Sequence, residues 1–240
     1  MRDVSLVRAA RAVVIAPLAA AAVLALSGAP QARVLVVSET AGFHHPSIPA
    51  ARAALARIGA SSPDFDVVEV ASSRSLTAAA LRRAQAVVFL STTGELRMGR
   101  PGLARLLRWI RAGGGFVGLH AASNTFDAEP GFARMLGARF RAHPFAGRGR
   151  VLVTDRTHPA TRRLPRSFAI NDEFYVFATS PRRRAHVLAR RDTTRDEPLV
   201  WWRREGRGRV FYSALGHPAA AWRDPTHLRL VEDGLRWATS

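Results

Sequence analysis

Residues 113–125, Gly-Gly-Gly-Phe-Val-Gly-Leu-His-Ala-Ala-Ser-Asn-Thr, run from a glycine stop through a short apolar segment to His120, where that segment ends abruptly. In an open α/β sheet the carboxyl end of a strand is where ligands bind and where a reactive side chain is displayed. The chain has no cysteine, so thiolate chemistry is excluded and any site here works through histidine and carboxylate. Ala41–Ser47 (AGFHHPS) directly follows the first apolar β-branched run. A loop there lies at the same sheet edge as His120, which brings His44 and His45 within reach of it. His217 closes the apolar run Val210–Ala214, and Asn171-Asp172-Glu173 interrupts another, Phe168–Phe177. One carboxylate, Glu173, with histidines from separate strand ends makes a set able to bind Zn²⁺ or a similar ion and leave room for water or substrate. The same set could serve as general acid and base on a sugar. Asn124 and Asp127 either hydrogen-bond a polar substrate or cap the turn.

These groups need a scaffold that brings strand ends together, and the chain supplies its pattern. Arg33–Ser38, Phe65–Val70, Ala86–Leu90 and Phe116–Leu119 read as strands, alternating with helical patterns over Ser47–Ile58, Thr77–Arg83 and Pro101–Arg111. Thr77 is the expected N-cap of the second helix. Such alternation implies βαβ units and a mainly parallel open sheet with helices on both faces. The second half is less regular. Gly131–Leu136 reads as a short helix, and Gly149–Thr154, Phe168–Phe177 and His186–Ala189 read as strands. Leu199–Arg203 and Gly208–Ala214 form an expected edge hairpin turning at Glu205-Gly206, and Thr226–Trp237 a closing helix. Gly113–Gly115 lacks the lysine of a P-loop and the spacing of a dinucleotide fingerprint, so it reads as a helix stop. Trp201 and Trp202 must face opposite ways in a strand. Trp222 is the expected platform for a sugar ring.

At 240 residues the chain fits one domain with a substantial core. Its 36 basic against 18 acidic residues give a formal charge of +18. All the basic residues are arginine, spread along an alanine-rich chain. That points to compositional bias more than to a nucleic-acid face, which needs clustering and a reading element. Residues 1–32 carry Arg2, Arg8 and Arg11 ahead of an uncharged run from Ala12 to Leu26 and then small residues. This reads as a secretory signal peptide, or as an uncleaved N-terminal anchor that would be the chain's one membrane contact. With a signal peptide the protein is exported to the periplasm or beyond; without one it is cytoplasmic.

Taken in order, several segments resemble the ThuA-like (trehalose utilisation) family of the class I glutamine amidotransferase-like superfamily. They are Thr40–His45 with Ser47-Ile48, Gly114–Ala122, Leu136–Phe140 with His143-Pro144, His158–Thr161, Asp172–Phe177 and Gly208–His217. The resemblance covers Arg33 to Ala238 and makes 33–240 one ThuA-like domain. It implies a flavodoxin-like, amidotransferase-like sheet without that class's cysteine, and a role in turnover of trehalose or an oxidised (keto) disaccharide. On this reading His120 and Glu173 are catalytic. His44, Asn124, His143 and Trp222 bind substrate, and His45, His120, Glu173 and His217 hold a divalent metal such as zinc. The activity is hydrolysis or isomerisation of a glycoside or keto-sugar; the alternative is a non-catalytic carbohydrate-binding or scaffolding module. The expected partner is a small carbohydrate, with a homo-oligomer as the assembly. One departure stands out: the family often has an aromatic pair before the Leu-Gly-Ala-Arg-Phe motif, where this chain has Pro130-Gly131-Phe132-Ala133.

Overall fold

The structure is a computed structural model and describes residues 31–240. The expected signal peptide or anchor lies outside the described residues. Five runs of apolar and β-branched residues form the parallel half of a nine-stranded sheet. They are β1 (Ala32–Val37), β2 (Phe65–Glu69), β3 (Ala86–Leu90), β5 (Gly115–Leu119) and β11 (Gly208–Ser213). Their order, β2-β1-β3-β5-β11, is the 2-1-3-4-5 order of flavodoxin-type sheets. β3 and β5 are buried along their whole length, as expected for parallel strands covered on both faces. β4 (Thr93–Gly94) and β6 (Asn124–Thr125) form a small second sheet over the strand ends.

The helices are α1 (Ile48–Ser61), α2 (Ala78–Arg82), α3 (Gly99–Arg111), α4 (Pro130–Leu136) and α5 (Pro225–Thr239). Thr77 caps α2 as expected, its side chain accepting from Ala80 N. α4 and α5 cover opposite faces of β5. A Cβ at Gly115 would meet Ala238 of α5, whereas one at Gly118 would meet Leu136 of α4. On the α4 face Phe89, Phe116, Phe126 and Phe132 pack with ring centroids 5.1 to 5.9 Å apart.

The other half of the sheet corrects the expectation of a mainly parallel one. Beyond β11 lie β10 (Pro198–Glu205), β9 (His186–Arg191), β7 (Phe140–Val153) and β8 (Ser167–Phe177), each antiparallel to its neighbour. The sheet is therefore mixed. The β10–β11 hairpin forms as expected but is not at an edge, because β11 also pairs in parallel with β5. β7 begins nine residues before the expected Gly149. Its first part pairs with β8 through two register shifts, and Pro144, Gly147 and Gly149 break the alternation that would have announced it. Among the described residues no helix is long and apolar enough to cross a membrane.

Candidate functional site

Three loops converge above the carboxyl ends of β1, β5 and β11. At the end of β5 the backbone turns sharply, and His120 takes a positive φ of 52°, a left-handed conformation in which histidine is enriched among non-glycine residues. Tyr212 Oη donates to His120 O at 2.6 Å and lies 2.8 Å from Ser123 Oγ, fixing the turn. His120 is fully buried. Its Nδ1 stands 2.9 Å from Ala214 O; a carbonyl only accepts, so Nδ1 carries the proton and Nε2 offers a lone pair. Tyr175 Oη, 3.0 Å away, is placed to donate to that Nε2. Burial holds His120 well below its ordinary pKa, and the nearby His45 and His217 act the same way against the Ala214 hydrogen bond.

The loop after β1 delivers His45, not His44. Thr93 Oγ1 donates to Phe43 O at 2.8 Å and Ala41 N to Thr93 O at 2.8 Å, which pins the loop to β4. His45 is buried with its ring centroid 4.7 Å from that of His120 and 5.4 Å from that of His217. Burial, with the charges of His217, His44 and His143, pushes it down to about 4. Its Nδ1 has no hydrogen-bond partner. His44 points outward and meets Thr40 Oγ1 at 3.3 Å, so the expected substrate contact from His44 is corrected. The two adjacent side chains diverge, and only one can face inward.

His217 follows Gly216, whose φ is +120°. Asp172, buried in β8, accepts from Gly216 N at 2.7 Å, His217 N at 2.9 Å and Glu173 N at 2.9 Å. Burial pushes Asp172 up to about 7 against those three donors. Gly216 O accepts from Ser47 Oγ at 3.3 Å and Trp222 Nε1 at 2.9 Å, which ties the His217 loop to the start of α1. Trp222 is fully buried and has no face free for a sugar ring; the expected stacking role is corrected to support of the His217 loop.

Glu173 lies beside the histidines. Its Oε2 is 3.1 Å from His217 Nδ1 and 3.8 Å from His120 Nε2, and its Oε1 is 3.6 Å from His143 Nδ1. Phe43, His45, Asn124, Phe140, His143, Glu173, Tyr175 and His217 line a cleft of about 340 Å³. His120 lies beneath this lining, which leaves Glu173, His143, His217, His45 and Tyr175 as the titratable groups a ligand meets. Ligand atoms of His45, His120 and His217 all come within 4.8 Å of one another. Glu173 borders this trio and is not a member of it, so the expected four-residue metal set becomes three histidines with a carboxylate alongside. Their chemistry suits a divalent cation. His120 shows the pattern of a ligating histidine, one ring nitrogen donating to a carbonyl and the other facing the trio, where an ion would take the place of the Tyr175 hydrogen bond, and His45 Nδ1 is an unpaired buried nitrogen.

The sequence alone assigns no role to Tyr175, Asp172 or Phe43. Tyr175 was findable, since residues two apart on a strand share a face and it follows Glu173 at that spacing. Phe43 is 61% exposed, the one large apolar side chain so exposed among the described residues, and stands at the cleft's rim. Trp201 and Trp202 do face opposite ways: Trp201 is buried and donates to Leu136 O at 2.8 Å, while Trp202 is stacked between His158 and His186.

A family model described as ThuA, trehalose utilisation, matches residues 33–238. A ThuA-like protein from Bacteroides uniformis ATCC 8492 is 22% identical over 88% of this chain and 92% of that one, with a TM-score of 0.74. Another from Parabacteroides merdae ATCC 43184 is 22% identical over 88% and 91%, with a TM-score of 0.75. A β-galactosidase from Bacillus circulans sp. alkalophilus has a similar fold over 87% of this chain but only 30% of its own, at 14% identity and a TM-score of 0.55. No match was found among curated proteins.

Proposed function

Since the chain belongs to the ThuA trehalose-utilisation family, we propose that its cleft binds a sugar or keto-sugar glycoside and converts it by hydrolysis or isomerisation. The observation that carries this reading is the meeting of Glu173 with three histidines from separate strand ends at one cleft. Glu173 is the group placed to take or return a proton at a substrate hydroxyl, within hydrogen-bond reach of His217. Asn124 and His143 supply hydrogen bonds to hydroxyl groups, and Phe43 and Phe140 supply apolar surface for a ring face. Without an ion, Tyr175 donates to the His120 Nε2 lone pair and keeps the ring oriented. His45, His120 and His217 would hold a divalent cation such as zinc; when bound, such an ion polarises a carbonyl or hydroxyl oxygen.

A second reading, a non-catalytic carbohydrate-binding module, draws support from the full burial of His120, which keeps that imidazole from touching a sugar directly. One experiment separates the two. Metal content and turnover of keto-glycosides are measured for wild type, His120→Ala and Glu173→Gln. The expected outcome is near-stoichiometric metal in wild type, lost in His120→Ala. Glu173→Gln is expected to retain metal and lose turnover by about 10²–10⁴-fold. Sugar binding without turnover in any form would establish the module instead, and absence of metal from wild type would remove the cation from the proposal.

A further inference from the structure

A second hollow, sharing no lining residue with the cleft, lies between the end of α4 and the turn after β8. It measures about 460 Å³, and Arg134, Arg139, Arg183 and Arg184 line it together with Ser180, with Asp127 as its one carboxylate. The local sequence builds both walls. α4 stops at Gly137, whose φ of +104° turns the chain toward Arg139. On the other side Ser180 caps a single turn, Pro181–Arg183, its Oγ accepting from Arg182 N, which sends Arg183 and Arg184 to the hollow. Ala178 N donates to Arg139 O at 2.9 Å and locks the two walls together.

The charge here is not neutralised from within the chain. Among the described residues none of the four arginines is paired with a carboxylate, whereas Arg182 next to them is held by Asp196 at 2.5 Å. Neighbouring Arg203, pushed down by burial, is lowered further by Arg184 although Glu205 opposes this. Four like charges around one concavity repel one another unless an anion sits among them. Guanidinium forks match the oxygens of phosphate or sulfate in paired hydrogen bonds. We infer that this hollow is a binding site for a phosphate- or sulfate-type oxyanion, free or carried on a small sugar. Its concave form gathers the four guanidinium groups around one space, and the Arg190–Arg191 run does not line it.

The test is calorimetric titration of the full chain with inorganic phosphate and with glucose 6-phosphate, at constant ionic strength. Wild type is expected to bind at one saturable site per chain. Arg139→Gln with Arg184→Gln should weaken binding by about 100-fold, roughly tenfold for each charge-assisted hydrogen bond removed. Arg82→Gln with Arg83→Gln removes the same charge from the C-terminal end of α2, outside the hollow, and should change binding by less than about twofold, because screening limits distant charges. The pair Arg139→Lys with Arg184→Lys keeps charge but loses the forks; it should fall between wild type and the glutamine pair, and it preserves the test if the glutamine pair does not fold. Tighter binding of the sugar phosphate assigns the site to a phosphorylated sugar, and equal or weaker binding assigns it to the free anion. No saturable binding by wild type, or equal weakening in the hollow and control pairs, would overturn the site while leaving the Glu173 cleft untouched.

Discussion

Asp172 accepts backbone N–H groups from Glu173, Gly216 and His217, so one buried carboxylate fixes both the proposed general base and a candidate metal ligand. Replacing it by asparagine keeps the volume but puts an amide donor against a backbone donor, and the His217 loop must move to relieve the clash. Asp172→Asn is therefore expected to lower metal affinity by about 10–100-fold, with a loss of roughly 1–3 kcal/mol in stability from the unsatisfied buried groups. Competition with a chromophoric chelator, alongside thermal unfolding, would check both; unchanged metal affinity would show that Asp172 only packs. The meeting of His120, Glu173 and His217 at one candidate site was legible because each ends or interrupts an apolar run. The choice of His45 over His44 was not legible, because it depends on the Thr93 hydrogen bonds that orient the loop, and these join residues some fifty positions apart. Trp222 misled because a buried indole and a sugar platform look alike in sequence.

The parallel strands could be read from sequence because each is a compact apolar run bounded by turn residues. Most strands of the antiparallel half could be read too, but not their arrangement, since the first part of β7 alternates weakly and the insertion of β11 beside β5 is set by pairing far away in the chain. Helix α5 shows how close packing outweighs propensity. Alanine normally favours a helix interior over glycine by about 1 kcal/mol, yet a Cβ at Gly234 would come 2.5 Å from Phe211 Cε1 in β11, and Phe211 is fully buried. Gly234→Ala is expected to destabilise by about 1–3 kcal/mol, lowering Tm by about 2–12 °C for a chain of this size. A rise in Tm instead would mean that Phe211 has room to turn aside.

Over the whole molecule, buried imidazoles set the response to acid. His158 and His227 are both held down to about 4, chiefly by burial, and His45 and His120 are displaced in the same direction. Above pH ~6.5 these groups are neutral whether the chain is folded or not and contribute nothing to pH dependence. Between ~6.5 and 4 the unfolded chain takes up protons that the folded one refuses, so stability falls as pH falls. Each group contributes a slope of about 1.4 kcal/mol per pH unit. Asp172, raised by burial from 3.8 to about 7, works in the opposite sense across this whole window and offsets one of them. Urea unfolding of metal-free protein from pH 7 to 5 should show a steady fall in the midpoint, and His227→Phe should flatten it by about one proton. A flat profile would mean that water reaches these rings. The position of β11 also governs the order in which the molecule can be completed. It is made after β10 yet stands between β5 and β10. A chain emerging from the ribosome can pair β1, β2, β3 and β5, and separately β7 to β10, but both blocks keep an open inner edge until Gly208–Ser213 appears. His217 follows directly behind that strand, so the last gap in the sheet and the last histidine of the cleft are filled by the same few residues of synthesis.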